Sequence, residues 1–237
     1  RVQRTVIHAS PEGDVSFGNA AFRTYVDTDL TGRFLRSLKA FLPADVPATT
    51  LAGKRMTFTE LITAYLRFLA DRTVAITGRE VTAVVVGRPV RFSSNEDANA
   101  LALARLQEAV VAAGLPEASF QLEPVAAAHR YEHGLTSERT VLVGDFGGGT
   151  ADFAVLRVGP GRARADRMDD VLATSGVAKA GDALDGRFLD TFLMPWFGAG
   201  MQVRPRYEEH FIPWEHPLQR QIQRLYYIHL LRDEALK

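Results

Sequence analysis

The chain has 237 residues, of which 46% are hydrophobic and 24% are charged, a balance that excludes an intrinsically disordered protein. Its 28 basic residues match its 28 acidic residues, so no net charge favours binding to nucleic acid or to a membrane surface. Cysteine is absent and no apolar run reaches the length of a membrane span, so we expect a cytoplasmic protein without disulfides.

The first third of the chain combines short apolar runs with two helix patterns. The opening "RVQRTVIHAS" predicts a strand that is already under way at the first residue, which suggests that the sequence is part of a longer protein. Residues 33–43, "RFLRSLKAFLP", predict a short helix that ends at its proline. Thr57 and Glu60 have the spacing of a capping box and predict a longer helix that ends at Gly78. The apolar positions of that helix are Leu61, Tyr65, Phe68 and Leu69.

Strands and capped helices alternate in the middle of the chain. Residues 81–87, "VTAVVVG", are too continuously apolar for a strand with one wet face, so a strand buried on both faces is predicted. Ser93 and Glu96 repeat the capping-box spacing before a helix that ends at Gly114. After the short strand "SFQL", Glu123 takes the N-cap position of a helix with proline in its first turn. This alternation predicts an α/β fold with a partly parallel sheet.

After residue 140 the pattern changes to antiparallel strands. The runs "TVLVGD" and "ADFAVLRV" flank a glycine-rich turn with nothing helical between them, so they should pair with each other. The segment "RADRMDDVLAT" predicts a further strand, and "DALDGRFLDTFLMPWF" predicts an amphipathic helix after it. The apolar face of that helix comprises Leu184, Phe188, Leu189, Phe192 and Trp196. A last helix is predicted in the tail, with Leu218, Ile222, Leu225 and Tyr226 as its apolar positions.

The glycine-rich turn is "DFGGGTAD", residues 145–152. A turn of successive small residues points several backbone N–H groups at one place, and glycine permits positive φ and leaves room for a phosphate. Thr150 adds a hydroxyl, and Asp145 would repel a phosphate unless Mg²⁺ with its retained waters lay between them. The pattern therefore favours a metal–polyphosphate site. The alternative is a plain hairpin turn, although such turns are usually shorter and built on Asn-Gly or Asp-Gly.

The segment "TVLVGDFGGGTADFAVLRV" resembles the second phosphate motif of the actin-like ATPase superfamily, and specifically that of heat-shock protein 70 chaperones. Further segments follow the family's order. "VTAVVVGRPVRFSSNEDANALALARLQEAVVAAGL" resembles its strand, turn and long helix, and "LEPVAAAHRYEHG" resembles the helix that connects its lobes. "RSLKAFLP" is similar to the segment with the catalytic lysine, and "AKAGDALDGRFLD" to a glycine–acid turn of the second lobe. The resemblance covers roughly residues 1–195 and is closest to the bacterial YegD-type chaperone-like proteins.

The resemblance implies an actin-like ATPase (ribonuclease H-like) fold, with mixed sheets flanked by helices in two lobes around a nucleotide cleft. The first lobe would be residues 1–134, with an outer subdomain to about 77 and an inner one from about 78. The second lobe would be residues 135–237, with an inner part to about 180 and an outer part from about 181. Mg-ATP would bind between the lobes and be hydrolysed slowly to ADP, as in a molecular chaperone with client proteins or co-chaperones as partners.

The resemblance also implies a role for each site residue. Lys39 would reach the γ-phosphate and stabilise the charge that develops there. Asp145 would orient the water shell of Mg²⁺ and align the attacking water, while Glu123 would position water or metal ligands. Asp152 would act as a general base or support one. The phosphates would be held by Gly147, Gly148, Gly149 and the Thr150 hydroxyl, with Gly181 and Asp182 in contact across the cleft mouth.

The sequence departs from the family pattern in two places. The family's first phosphate loop and its adenosine-binding segment are missing, which again suggests a partial chain, and "AGDA" stands where the family has Gly-Gly-Glu-Asp. Two other functions stay open. One is an actin-like kinase that phosphorylates a small molecule, against which the Glu-Pro-Val-Ala-Ala-Ala helix and Lys39 count. The other is a non-hydrolysing, nucleotide-dependent interaction or filament protein.

Overall fold

The computed structural model describes residues 2–45, 48–162, 167–206 and 209–213. Its helices are α1 (Gly18–Asp27), α2 (Phe58–Thr77), α3 (Glu96–Ala112), α4 (Glu123–Glu132) and α5 (Gly181–Phe188). Its strands are β1 (Val6–Ala9), β2 (Val15–Phe17), β3 (Arg33–Arg36), β4 (Thr49–Leu51), β5 (Lys54–Met56), β6 (Val84–Arg88), β7 (Ala118–Leu122), β8 (Arg139–Phe146), β9 (Ala151–Val158), β10 (Val171–Val177), β11 (Gln202–Val203) and β12 (Ile212–Pro213). Short 3₁₀ turns lie at Leu38–Phe41, Met168–Asp170 and Met194–Phe197, and a π turn lies at Leu189–Leu193. Within the described ranges, no helix is long and apolar enough to cross a membrane.

The first sheet has the strand order β2-β1-β3 and is antiparallel throughout. Its strand β3 shows that the helix predicted over residues 33–43 is wrong, because only one 3₁₀ turn follows the strand. Leu35 pairs with Ile7 of β1, and both side chains are fully buried. Ser37 then adopts a left-handed backbone conformation, with φ of 53°, which ends the strand. Long-range pairing with β1 therefore overrides the local helical pattern.

The two long helices α2 and α3 pack against each other and supply much of the first core. The capping box of Thr57 and Glu60 is confirmed, and Gly78 ends α2 with a positive φ of 66°. The predicted cap of α3 is wrong by two positions. Asn95 is the N-cap because its side chain accepts the N–H of Ala98, while Ser93 instead accepts the N–H of Asn95.

Strands β6 and β7 pair in parallel, as the alternation of strands and helices predicted. The prediction that β6 is buried on both faces is wrong: Val86 packs into the first core, whereas Val85 is 70% exposed. Successive side chains of a strand point to opposite faces, and within the described ranges β6 pairs with β7 alone, in a two-stranded sheet. The C-terminal ends of β6 and β7 lie side by side, with Arg88 opposite Leu122.

The third sheet has the order β10-β9-β8, and its antiparallel register places Asp145 opposite Asp152. The predicted pairing of these two strands is confirmed. Helix α4 begins at Glu123, with Leu122 at the N-cap position, so the predicted N-cap role of Glu123 is wrong by one residue. The buried face of α4 packs against β8 and β9.

Two hydrophobic clusters organise the described chain. The first joins the β1–β3 sheet with α2, α3 and β6, and the second joins α4 with β8 and β9. The buried members of the second cluster are Val125, Ala128, Ala154, Leu156 and Val158. Helix α4 therefore contributes to the second cluster, although the sequence places it at the end of the first lobe. The lobe boundary at residue 134 stays a prediction.

The segment from α5 onward differs from the single amphipathic helix that its sequence predicts. Helix α5 ends at Phe188 and continues as a π turn and a 3₁₀ turn. The predicted apolar face is exposed on both sides of the π turn, with Leu184 at 70% before it and Trp196 at 88% after it, whereas Met194 is buried. The helix predicted around residues 218–226 lies outside the described residues.

Candidate functional site

Lys39 is the cation of the site, and three separate segments position it. It lies in the 3₁₀ turn that follows β3. Its ammonium donates to Oε1 of Glu123 and to the carbonyl oxygen of Gly87, each at 2.7 Å. Gly87 lies near the end of β6 and Glu123 directly follows β7, so the parallel pairing of these strands brings both acceptors to one edge. The ammonium is therefore fixed beside a carboxylate at this edge.

The residues Gly147–Thr150 form the four-residue hairpin connection between β8 and β9. The N–H of Gly147 donates to the carbonyl oxygen of Thr150, which closes the turn. The carbonyl oxygens of Gly147 and Gly148 accept the N–H groups of Gly181 and Asp182 at the start of α5. In the part of the chain that the structure describes, the N–H groups of Gly148, Gly149 and Thr150 find no acceptor. The turn is thus a hairpin whose free donors suit an anion.

The three glycines of the turn are needed for space rather than for their backbone angles. None of them has a positive φ, so the expected use of left-handed backbone there is wrong. A Cβ on Gly149 would lie 3.0 Å from Cβ of Ala40, and a Cβ on Gly148 would lie 3.2 Å from Oδ2 of Asp182. Both distances are shorter than ordinary van der Waals contact. Side chains at these positions would press on the opposite wall of the cleft.

A cavity of about 260 Å³ lies between the Lys39 turn and the glycine turn. It brings together six of the residues that the sequence selected, from three separate segments of the chain. Those six are Lys39, Glu123, Gly147, Gly148, Gly149 and Thr150. Ser37, Pro89 and Phe92 line other parts of its wall. One cation and a row of backbone donors therefore face the same space.

The two aspartates of the turn occupy different environments. Asp145 is partly buried, and burial raises its pKa, as do the negative charges of Glu123 and Asp152, while Lys39 partly offsets them. Asp152 is 1% exposed, and its Oδ1 accepts the N–H of Val90 at 2.6 Å. Asp152 thus ties β9 to the segment after β6. Neither aspartate is among the described residues that line the cavity.

Asp182 lies across the cleft from Ser37, and this contact was not visible in the sequence. Its Oδ2 accepts the Ser37 hydroxyl at 3.1 Å, and its Oδ1 lies 3.6 Å from Nη2 of Arg36. Gly181 contributes only its backbone, through the N–H that reaches Gly147. No sequence signal marks Ser37, because its left-handed conformation and its distant partner both depend on the folded structure.

The carboxylates suit a metal held through water rather than by direct ligation. Among the described residues, no group of three or more His, Cys, Asp or Glu side chains could hold a metal ion directly. The negative charge of Glu123 nevertheless raises the pKa of Asp145, so a cation near both carboxylates would be favoured. Mg²⁺ keeps several waters and uses one or two carboxylates together with phosphate oxygens. The donor set therefore fits Mg²⁺ that accompanies a polyphosphate.

The sequence model of the family described as "Hsp70 protein" matches residues 43–205, more than half of the chain. The chain belongs to the Hsp70 family. This membership confirms the actin-like ATPase fold. Lys39 lies just before the matched residues, whereas Glu123 and the glycine turn lie within them.

Curated relatives of this Hsp70 chain are chaperones and heat-shock proteins. The "Chaperone protein dnaK" of Emiliania huxleyi is 32% identical over 152 residues, which are 64% of this chain and 21% of the relative. The "Heat shock 70 kDa protein 7, chloroplastic" of Arabidopsis thaliana is 31% identical over 159 residues, 67% of this chain and 20% of the relative. The chain thus spans about a fifth of the length of these relatives. Its closeness to the YegD-type proteins stays a prediction.

A buried ion network in this Hsp70 chain holds α4 in place, and no pattern in the sequence indicates it. Arg167 donates to Oε2 of Glu132 at 2.7 Å and to Oδ2 of Asp170 at 3.1 Å. Oε1 of Glu132 accepts the N–H of Gly159 at 2.8 Å. All three charged side chains are at least nine-tenths buried. Because Glu132 ends the helix that Glu123 begins, the network fixes α4 at the end opposite the cavity.

Proposed function

We propose that this chain forms part of the Mg-ATP-binding cleft of an Hsp70-type ATPase that hydrolyses ATP slowly to ADP and phosphate. One observation carries the proposal: Lys39, Glu123 and the turn Gly147–Thr150 surround a single cavity. A lysine ammonium, free backbone N–H groups and a hydroxyl are the groups that bind a polyphosphate. Membership in the Hsp70 family supports ATP as the nucleotide.

Each turn residue has a role in holding the phosphates. The N–H groups of Gly148, Gly149 and Thr150 bind phosphate oxygens, and the Thr150 hydroxyl adds one more donor. Gly147 closes the turn and keeps these donors on the cavity side. Lys39 stabilises the charge that develops on the γ-phosphate, which is where phosphoryl transfer gains most of its rate.

Glu123 and Asp145 hold Mg²⁺ through its water shell, and Asp145 also aligns the attacking water. The metal supplies positive charge that neutralises the phosphate oxygens as the bond to the leaving group breaks. The raised pKa of Asp145 supports this role, because a carboxylate crowded by Glu123 and Asp152 gains most from a nearby cation. Asp152 lies opposite Asp145 on the paired strand. It acts either as a general base or through its negative charge, which raises the pKa of Asp145.

The two lobes, residues 1–134 and 135–237, close around the nucleotide. This closure is the conformational output of nucleotide binding and hydrolysis. Asp182 belongs to the second lobe and accepts the hydroxyl of Ser37 in the first lobe, while Gly181 binds Gly147 within the second lobe. The rest of the protein acts as a chaperone in the cytoplasm, with client proteins or co-chaperones as partners. The named relatives, of which this chain covers about a fifth, support this wider role.

The proposal is tested by thermal unfolding of the protein with Mg-ATP, Mg-ADP or neither, together with phosphate release. Ligand that binds the native state must raise the unfolding temperature. Lys39→Ala and Asp145→Asn should reduce both the shift and the release of phosphate. Lys54→Ala and Asp71→Asn are matched controls, because both side chains are exposed and neither residue lines the cavity.

One result would contradict the proposed function, and two others would establish a different one. An unchanged midpoint with every nucleotide at about 100 times the expected Kd contradicts the nucleotide proposal. Transfer of phosphate from ATP to a metabolite establishes a small-molecule kinase. Concentration-dependent assembly with ATP and negligible phosphate release establishes the filament or interaction protein.

A further inference from the structure

The hydrogen bond between Ser37 and Asp182 joins the wall of the cavity, which Ser37 lines, to a segment 145 positions away. The Ser37 hydroxyl donates to Oδ2 at 3.1 Å, and Arg36 lies 3.6 Å from the other carboxylate oxygen. The Asp182 side chain is only 10% exposed. A carboxylate shielded to this degree needs partners, and these two residues of the first lobe provide them.

Asp182 is also bonded to the glycine turn through its backbone. Its N–H donates to the carbonyl oxygen of Gly148 at 2.9 Å, and the N–H of Gly181 donates to Gly147 at 3.1 Å. These bonds occupy the carbonyl oxygens of the turn and leave its N–H groups toward the cavity. Asp182 therefore connects Ser37 to the turn in two steps, one through its side chain and one through its backbone.

Ser37 is equally well connected to Lys39. It is the N-cap of the 3₁₀ turn that carries the lysine, and its carbonyl oxygen accepts the N–H of Ala40 at 2.9 Å. Its φ of 53° is uncommon for a residue with a side chain, and such strain persists only where surrounding contacts hold it. The contact with Asp182 is one that holds it.

We propose that Ser37 is a positioning residue that sets the place of the Lys39 ammonium relative to the N–H groups of the glycine turn. The link runs from the Lys39 turn through the Ser37 hydroxyl to Asp182, and from Asp182 to Gly148. The effect of this link on ATP binding rests on the proposed function. The effect of the link on the conformation of the glycine turn is independent of that function, because the same bonds exist without a ligand.

The test compares Ser37→Ala, Ser37→Gly and Ser37→Asn with Asp182→Ala and the double variant Ser37→Ala/Asp182→Ala. Alanine removes the hydroxyl, glycine removes it and also relieves the backbone, and asparagine tolerates positive φ while offering an amide donor. Ser94→Ala is the matched control, since Ser94 is exposed. The first readout is hydrogen exchange, in nucleotide-free protein, of the peptides that contain residues 147–150 and 181–182, because the N–H groups of Gly147, Gly181 and Asp182 are the bonded donors that hold the turn. The second is binding of a fluorescent ADP derivative with Mg²⁺ and single-turnover ATP hydrolysis.

We expect Ser37→Ala and Ser37→Gly to speed exchange of the turn and to weaken Mg-nucleotide binding by about tenfold, the effect of one hydrogen bond to a charged group. Ser37→Asn should restore part of both, and the double variant should be no worse than either single one. Unchanged exchange in both Ser37 variants, or additive losses in the double variant, would refute the positioning role. If the wild-type protein binds no nucleotide but exchange still responds, the proposed function fails and the positioning role stands. If nucleotide binds to the wild-type protein but the Ser37 variants change neither readout, the proposed function stands and the positioning role fails.

Discussion

The ammonium of Lys39 lies 2.7 Å from Oε1 of Glu123, although 84 positions separate the two residues. Lys39 comes from the turn after β3, and Glu123 from the first residue of α4. The pair joins the β1–β3 sheet to the helix that packs on β8 and β9. It also holds the lysine at the cavity that the glycine turn closes from the other side.

The Lys39–Glu123 pair should matter far more for hydrolysis than for stability. Its side chains are 41% and 28% exposed, and ion pairs that open to solvent contribute about 1 kcal/mol at most. Removing a preorganised group that stabilises a developing charge costs about 100-fold or more in rate. Lys39→Ala should therefore slow single-turnover ATP hydrolysis about 100-fold, with a change in unfolding free energy below about 1 kcal/mol. Hydrolysis that equals that of the control Lys54→Ala would contradict the role of Lys39.

Asp145 should make the ligand-free protein less stable as the pH rises. The pKa of Asp145 is raised, first by burial and then by the charges of Glu123 and Asp152. A folded pKa above the unfolded one means that the folded state holds the proton more tightly. The stabilising contribution is thus complete below the unfolded pKa and is lost as the pH rises through the folded pKa.

Asp145→Asn should remove that dependence. The unfolding free energy of Asp145→Asn should exceed that of the wild type at pH 7. The difference should shrink as the pH falls from about 6 to about 4, which is about the unfolded pKa of an aspartate. Urea unfolding across this range measures it. Asp71→Asn, on the exposed part of α2, should follow the wild type. A difference between Asp145→Asn and the wild type that does not change with pH would contradict this account.

The buried network around Arg167 should be essential for folding of the second cluster. Arg167→Met leaves Glu132 buried without its cation, while Asp170 keeps its contact with Arg162, and breaking such a buried pair costs about 3–5 kcal/mol. Arg91→Met is the control, because it breaks a more exposed pair with Glu96 and should cost less than about 1 kcal/mol. Chemical denaturation separates the two cases. Equal costs would show that the buried network contributes no more than a surface pair.

Gly149 should tolerate no side chain, whereas Gly186 should accept one. A Cβ on Gly149 would meet Ala40 at 3.0 Å, so Gly149→Ala should cost about 1–3 kcal/mol and reduce the binding of Mg-ATP. A Cβ on Gly186, inside α5, would meet nothing within 4 Å, so Gly186→Ala should gain up to about 1 kcal/mol. Unfolding midpoints and nucleotide titrations measure both. Undiminished binding by Gly149→Ala would argue against a phosphate in the turn.

Local patterns in the sequence correctly predicted several elements of the fold. The capping box of Thr57 and Glu60 and the hairpin of β8 with β9 follow from residues close to one another, and the alternation of strands and helices predicted the parallel β6–β7 pair. The glycine turn and its family resemblance follow in the same way, because a phosphate-binding turn is built from consecutive residues. Caps, periodicity and turns depend on neighbours within about four positions, and sequence alone records those.

Contacts between distant segments were decided only by the tertiary structure. Pairing with β1 made residues 33–36 a strand despite their helical pattern, and the predicted apolar face of α5 and the turns after it is exposed, from Leu184 to Trp196. The partners of Ser37 and Arg167 lie in segments whose meeting no local pattern encodes. The sequence by itself selected the residues that we propose bind a phosphate. Packing of the two clusters decided that Lys39, Glu123 and the glycine turn meet at one cavity, because burial of apolar faces fixes how the segments that carry them approach.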